Sequence, residues 1–173
     1  MVQQSVTGVG GRGDMFLSVN GARAGAIKGE AQDAAHANEI DVLSWSWGMQ
    51  GRSTIGTGQA TGRATVTELR IVKRVDSATT PLMSALRTNE LITKAVLTVR
   101  KAGGSKLEYL KITIEQGRVA SIAIEGGSPD EGADLFERVA FSFNKITVEY
   151  VPQGKDGLPR GSMMYTDQFD EKA

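Results

Sequence analysis

The chain has 173 residues, enough for one domain with a substantial core, and its 20 Lys and Arg balance 20 Asp and Glu. That balance supplies no basic face for a nucleic-acid partner. Zero cysteines exclude disulfides, thiolate metal sites and cysteine nucleophiles, and a single histidine, His36, excludes a His-rich metal cluster within one chain. No apolar run approaches the length of a membrane helix, so no membrane insertion is expected. Met1 to Asp14 lacks a basic region followed by an apolar one, so no secretory signal peptide is expected either. Glycine is abundant (21) and proline scarce (4), a balance that favours many turns and few helices.

In chain order, residues 1–13 are small, polar and Gly-rich and are expected to form a flexible extension. Their Gly8 to Gly13 run matches G-x-G-x-x-G. No strand can precede it, and the residues after it alternate like a strand, so a dinucleotide site is not expected. Asp14 to Asn20 is a strand ended by the hairpin signal Asn20-Gly21, with Ala26 to Lys28 returning. A polar segment, Gly29 to Asn38, leads into Glu39-Ile40-Asp41-Val42-Leu43-Ser44-Trp45-Ser46-Trp47-Gly48. Both tryptophans lie there, two residues apart. At the strand period, Leu43, Trp45 and Trp47 share one face and Val42, Ser44 and Ser46 the other. A helix turns by about 100° per residue and would leave no single apolar stripe. The stretch therefore reads as a strand from Glu39 to Met49 with a packed aromatic face and a small, wet one.

Gln50 to Gly62 is rich in Gly, Thr and Ser, including Gly51, Gly56 and Gly58, and reads as a loop that is mobile or ordered by a partner. Arg63 to Lys73 alternates as a strand. Thr79-Thr80-Pro81-Leu82-Met83-Ser84-Ala85-Leu86-Arg87 offers an N-cap threonine, a first-turn proline and an apolar stripe, which predicts one short helix ending near Asn89. Further strands are expected over Ile92 to Lys101, Leu107 to Gln116 and Val119 to Glu125. The next, Leu135 to Val151, changes phase at Asn144-Lys145, the mark of a bulge or of a strand that changes sheets. A polar tail beyond Pro152 carries one possible short strand, Met163 to Tyr165. The fold predicted is mainly β: an antiparallel barrel or sandwich of about eight strands with one short helix packed at its side.

Nothing in the pattern supports catalysis. His36 is the only histidine base, no G-x-S-x-G surrounds a serine, and no phosphate-cradling loop is present. His36 is expected to bond local backbone or a neighbouring chain. The acidic set Asp130, Glu131 and Asp134 reads as a solvated loop face. No catalytic residue, cofactor or metal is expected.

With the strands mapped, the sequence resembles the hemolysin-coregulated protein (Hcp) family, the inner-tube protein of bacterial type VI secretion. The resemblance is carried by Asp14 to Leu17, by Ile27 to Glu30, and by His36 with Glu39 to Gly48. It continues through Thr80 to Met83, Leu97 to Gly104, Glu108 to Leu110 and Val148 to Gln153. It covers Asp14 to about Gln153, and so implies a domain over 14–153 between the extension 1–13 and the tail 154–173. It implies a β-barrel subunit that forms homohexameric rings stacked into a tube. A contractile sheath would expel that tube with a trimeric spike at its tip, and small effectors would ride in its pore, a virulence device that needs no signal peptide. The protein would stay in the bacterial cytoplasm before firing and be secreted afterwards. On this reading Ser44 and Ser46 face the pore and contact effectors, Ser46 foremost; the alternative is that they face solvent on an outer wall. His36, Glu39, Asp41, Gly51, Gly56 and Gly58 are candidates for subunit or ring contacts, and Trp45 and Trp47 pack the barrel wall. A competing reading is a monomeric carbohydrate- or ligand-binding β-module using the tryptophans as a platform. A second, a small hydrolase or an effector fused to such a subunit, is left no room by the chain length.

Overall fold

A computed structural model describes residues 13–53, 55–102, 106–127 and 134–169. The glycine-rich run before Gly13, the Gly103-Gly104 turn and the Ser128 to Gly132 loop with Asp130 and Glu131 lie outside these residues. Alternation of apolar and polar residues produces the strands β1 (Met15–Gly21), β2 (Gly25–Ile27), β3 (Ile40–Asp41), β4 (Ser44–Ser46), β5 (Met49–Ser53), β6 (Ala60–Val66) and β7 (Leu69–Arg74). After the helix α1 (Thr79–Arg87) come β8 (Ile92–Arg100), β9 (Glu108–Gly126), β10 (Leu135–Ser142), β11 (Lys145–Tyr150) and β12 (Met163–Gln168). All pairings are antiparallel. The main path runs β2-β1-β8-β9-β10-β7-β4, with β11 beside β9, β12 beside β11, β3 beside β1, and β5-β6 as a separate hairpin. The expected class holds: mainly β, antiparallel, one short helix.

The long strand β9 belongs to two layers. Its first half pairs with β8 and β11, its second half with β10. Leu17, Leu97, Ile112, Ile114 and Ile146 from the first layer meet Leu69, Ile71, Val139 and Phe141 from the second in one core, closed by Leu82 and Ala85 of α1. Residues separated by two along each strand point the same way, so one face of each layer is largely apolar, with Lys73 and Glu137 the buried charged pair on the second.

Several expected elements differ. The stretch Glu39 to Met49 is not one strand. β3 pairs with β1, and after Val42 the chain crosses to β7: Val42 N–H donates to Met15 O, whereas Leu43 N–H donates to Val72 O. Alternation carries only along an unbroken strand. Val42 is therefore buried in the core and does not share a face with the serines. Arg63 to Lys73 likewise breaks at Thr67-Glu68, where β6 leaves for the hairpin. In the other direction, Leu107 to Gln116 and Val119 to Glu125 are one continuous β9. The Gly-rich stretch is a hairpin, not a loop, and Gly56 (φ 100°) and Gly58 (φ 64°) make its tip.

The phase change at Asn144-Lys145 is a change of layer. β10 pairs with the second half of β9 and β11 with the first, so the buried parity switches from Val139 and Phe141 to Ile146. The short strand expected at Met163 is β12, paired along β11. The helix is where the sequence places it, but Ala78 is its N-cap and Thr79 is the first helical residue.

Candidate functional site: an outer sheet face and two charged clusters

In the layer β4-β7-β10-β9 the register fixes two opposite faces. Trp45, Ile71, Val139 and Ile122 lie in one cross-strand row, on the core side. The adjacent rows face out: Ser46, Arg70, Ala140 and Ser121 in one, Ser44, Val72, Arg138 and Ala123 in the other. Ser44 and Ser46 are exposed, and with Ser121 and Ala123 they make a shallow floor of small side chains. Arg70 and Arg138 stand over it. Arg138 Nε lies 3.2 Å from both carboxylate oxygens of Glu125, and Arg70 Nη2 lies 3.4 Å from Glu68. These are exposed pairs, each worth about 0–1 kcal/mol, and they leave the arginines free to exchange partners.

Trp45 and Trp47 are half-buried and pack against the core. The Trp47 indole N–H is buried with no hydrogen-bond partner among the described residues. With both rings turned inward, no flat aromatic platform is presented beside the serines.

His36 is buried and sits at the centre of a charged cluster. Its Nδ1 is 2.8 Å from Glu39 Oε2 and its Nε2 is 2.7 Å from Glu108 Oε1; each contact is a hydrogen bond when that nitrogen carries a proton. The ring stacks on Phe16, centroids 4.4 Å apart, and Arg100 lies over the same phenyl ring at 4.9 Å. Arg100 donates to Asp33 Oδ2 (2.7 Å) and to Asp14 Oδ2 (2.8 Å). The Arg100 guanidinium is the main reason that the Asp33 carboxyl is lowered to about 2, with Ala35 N–H and Lys106 adding to it. Partial burial pushes Glu108 up, but hydrogen bonds from Lys111 and His36 outweigh it and hold the carboxyl below its usual range. His36 thus ties the segment before β3 to β9 with side chains, where backbone or a neighbouring chain was expected.

Of the other contact candidates, Glu39 is half-buried in that cluster. Asp41 is exposed at a crevice shared with Arg74 and Asp76, where partial desolvation, then Asp76 and Asp14, raise its pKa. Gly51, Gly56 and Gly58 are exposed on the β5-β6 hairpin with open space around them. The structure therefore brings Ser44 with Ser46, and His36 with Glu39, and holds the three glycines apart from both.

One cluster is not legible in the sequence. Lys73 is fully buried. Its ammonium donates to Asp76 Oδ1 (2.7 Å), Glu137 Oε2 (2.9 Å) and Arg74 O (2.9 Å), with Thr79 Oγ1 at 3.2 Å sharing one of its three N–H groups. Thr79 Oγ1 donates to Glu137 Oε2 at 2.6 Å and accepts from Asp76 N–H at 3.1 Å. The cluster pins the start of α1 to β7 and β10. The only trace in the sequence is that Lys73 and Glu137 occupy inward parity, in phase with Ile71 and Val139.

Among the described residues no group of His, Asp and Glu is placed to hold a metal ion, and no helix is long and apolar enough to cross a membrane.

Comparison with known proteins supplies the context for these clusters. A family model described as "Type VI secretion system effector, Hcp" matches residues 16–150. The chain is 41% identical over 151 residues to Protein hcp1 of Pseudomonas aeruginosa, covering 86% of this chain and 89% of that protein. Among solved structures it is similar to Hcp1 from Salmonella typhimurium, with TM-score 0.72 and 34% identity over 91% of this chain and 95% of the other. A second, a type six secretion system protein, superposes with TM-score 0.78 and 26% identity over 88% and 92% of the two chains. The matched span holds the Trp-Ser-Trp strand, the His36 cluster and the buried Lys73, so this chain belongs to the Hcp family of type VI secretion proteins.

Proposed function

We propose that the protein is a structural subunit of the secretion tube, with six copies forming a ring, rings stacking end to end, and small effector proteins carried in the pore. The observation that carries this reading is the outer face of β4-β7-β10-β9. Between Arg70 and Arg138 its floor is made of small side chains. Around a pore it gives a smooth wall in which Ser44 and Ser46, with Ser121 and Ala123, leave room for a folded cargo. The inward turn of Trp45 and Trp47 speaks against the carbohydrate-binding alternative, which needs exposed rings.

A ring of this kind needs heterologous contacts between two different surfaces of one chain. The projecting β5-β6 hairpin, with Ile55 wholly exposed at its tip and Gly56 and Gly58 beside it, is the segment suited to reach an adjoining subunit or the next ring. Asp41 at its crevice is a further contact residue, whereas His36 and Glu39 act within the subunit and set the position of the segment leading into β3. The subunit has no enzymatic role on this reading. It waits in the bacterial cytoplasm, and a sheath then drives it outward behind a trimeric spike.

The test has two parts. Solution mass near six chain masses, with rings in negative-stain images, is expected; a monomer at high concentration would remove the tube reading. In preparations that form rings, Ser46→Gln is expected to abolish co-purification of effectors without changing the mass. Retained cargo with intact rings would take Ser46 out of the pore.

A further inference from the structure

His36 is the chain's only histidine, and the tube reading gives it no task beyond holding its own segment in place. Its surroundings fix a protonation state. The ring is buried, with Nδ1 2.8 Å from Glu39 Oε2 and Nε2 2.7 Å from Glu108 Oε1. A carboxylate oxygen only accepts, so both contacts are hydrogen bonds at once only when both nitrogens carry protons. A neutral imidazole has one N–H and one lone pair. It would leave one carboxylate oxygen facing that lone pair beside the buried ring, an unmade bond that costs stability. Glu108 does not supply the missing proton: partial burial pushes its carboxyl up, but hydrogen bonds from Lys111 and His36 outweigh that and keep it ionised.

The charges around the ring favour the cation. Glu39 and Asp33 lie on its own segment, Asp14 precedes β1, and Asp41 of β3 pairs with Phe16, on which the imidazole stacks. Glu108 and Lys111 come from β9 and Arg100 from β8, while Lys106 approaches Asp33 at 3.9 Å. Carboxylates outnumber cations in this set, and Arg100 is already committed to Asp14 and Asp33. The same contacts hold the segment down. Within residues 29–39 the backbone bonds to itself, Ala31 N–H to Glu39 O and Asn38 N–H to Ala31 O. The segment's side chains reach β8 through Asp33 and Arg100, and β9 through His36 and Glu108. A guanidinium keeps its charge at every working pH. An imidazole does not, so the tie to β9 is the one that pH can undo.

We propose that His36 is a proton latch: with both nitrogens protonated it fastens residues 29–39 to β9, and loss of one proton at alkaline pH unfastens them. The latch works within one subunit, so no outcome depends on whether rings form. An ordinary histidine, as in the unfolded chain, loses its proton around pH 6.5. Where the folded chain keeps a proton that the unfolded chain has lost, stability falls as pH rises. Because the chain has one histidine, long-range 1H–15N NMR reads a single ring and separates the imidazolium from either neutral tautomer. The imidazolium is expected at pH 7 in the full folded chain. Its loss at higher pH should speed hydrogen exchange at Ala31 and Asn38, corrected for the chemical rate, and leave Leu97 unchanged. In urea titrations from pH 6 to 9 the parent's unfolding constant should rise with pH by up to about tenfold per unit, the limit for one proton. His36→Gln has no proton to lose there and should flatten that rise. Glu39→Gln should flatten it as well, since its amide can donate to the bare Nδ1, and it carries the test if His36→Gln does not fold. A neutral tautomer at pH 7, variant curves parallel to the parent's, or unchanged exchange at Ala31 and Asn38 once the proton is lost would overturn the proposal.

Discussion

The two faces of the β4-β7-β10-β9 layer are built from the same strands, one residue out of phase, and they obey opposite rules. On the inner face each position is committed. Trp45, Ile71 and Val139 interlock, and Lys73 and Glu137, two residues away along their strands, form a fully buried ion pair in which Lys73 and Thr79 bond Glu137 Oε2 while Oε1 has no partner among the described residues. On the outer face Ser44, Ser46, Ser121 and Ala123 touch little, and the arginines above them are paired loosely. A buried face is specified by what it must contact, an exposed one by what it must leave open. Substitutions at neighbouring residues should therefore have effects of different size and different kind.

The largest effect is expected at Lys73. Lys73→Met leaves the Glu137 and Asp76 carboxylates without their cation, and a broken buried pair costs about 3–5 kcal/mol. Urea unfolding should show this as a lowered midpoint; a midpoint within error of the parent would mean that the inner face is not held by the pair. A double replacement of Lys73 and Glu137 by apolar residues should recover much of the loss, because the penalty comes chiefly from the orphaned charge.

An intermediate effect, confined to acid, is expected at Asp33. Its folded pKa, near 2, lies below the usual aspartate value of about 3.9. Between those values the unfolded chain binds more protons than the folded one, so stability rises with pH there. The contribution of the Asp33–Arg100 contact is complete above about pH 4 and is lost as pH falls towards 2. Asp33→Asn should flatten that part of a stability-against-pH curve relative to the parent. A curve parallel to the parent's across the window would assign the acid sensitivity to another carboxylate.

The smallest effect on stability is expected on the outer face. Ser46→Gln should change the free energy of unfolding by less than about 0.5 kcal/mol, the range of ordinary surface substitutions. It is nevertheless the change expected to alter cargo. A loss of more than about 1 kcal/mol would show that Ser46 is packed within the subunit, and the contrast between the two faces would fail.

Much of this molecule is legible from alternation. Leu69, Ile71, Val139 and Phe141 reveal their buried face by parity alone, and the shift at Asn144-Lys145 is visible as a slip in that parity. Ser44 and Ser46 opposite two tryptophans are enough to single out an exposed face. The failures have one cause. A period of two describes residues within a strand and carries no information on where a strand ends or which partner it takes. Val42 therefore reads as lying on the serines' side when it is in the core. The Gly-rich hairpin reads as a loop because weakly apolar strands on an exposed arm show no alternation.

By itself, the sequence determined the β-rich class, the single helix, the inward and outward faces and, through its resemblance, the family. These depend on local chemistry: side-chain polarity at fixed spacing, turn residues, and helix signals. Only the tertiary structure decided the partners. His36 meets Glu108 across 72 residues and Lys73 meets Glu137 across 64. Such pairings arise from the register between distant strands, and register is a property of the packed whole.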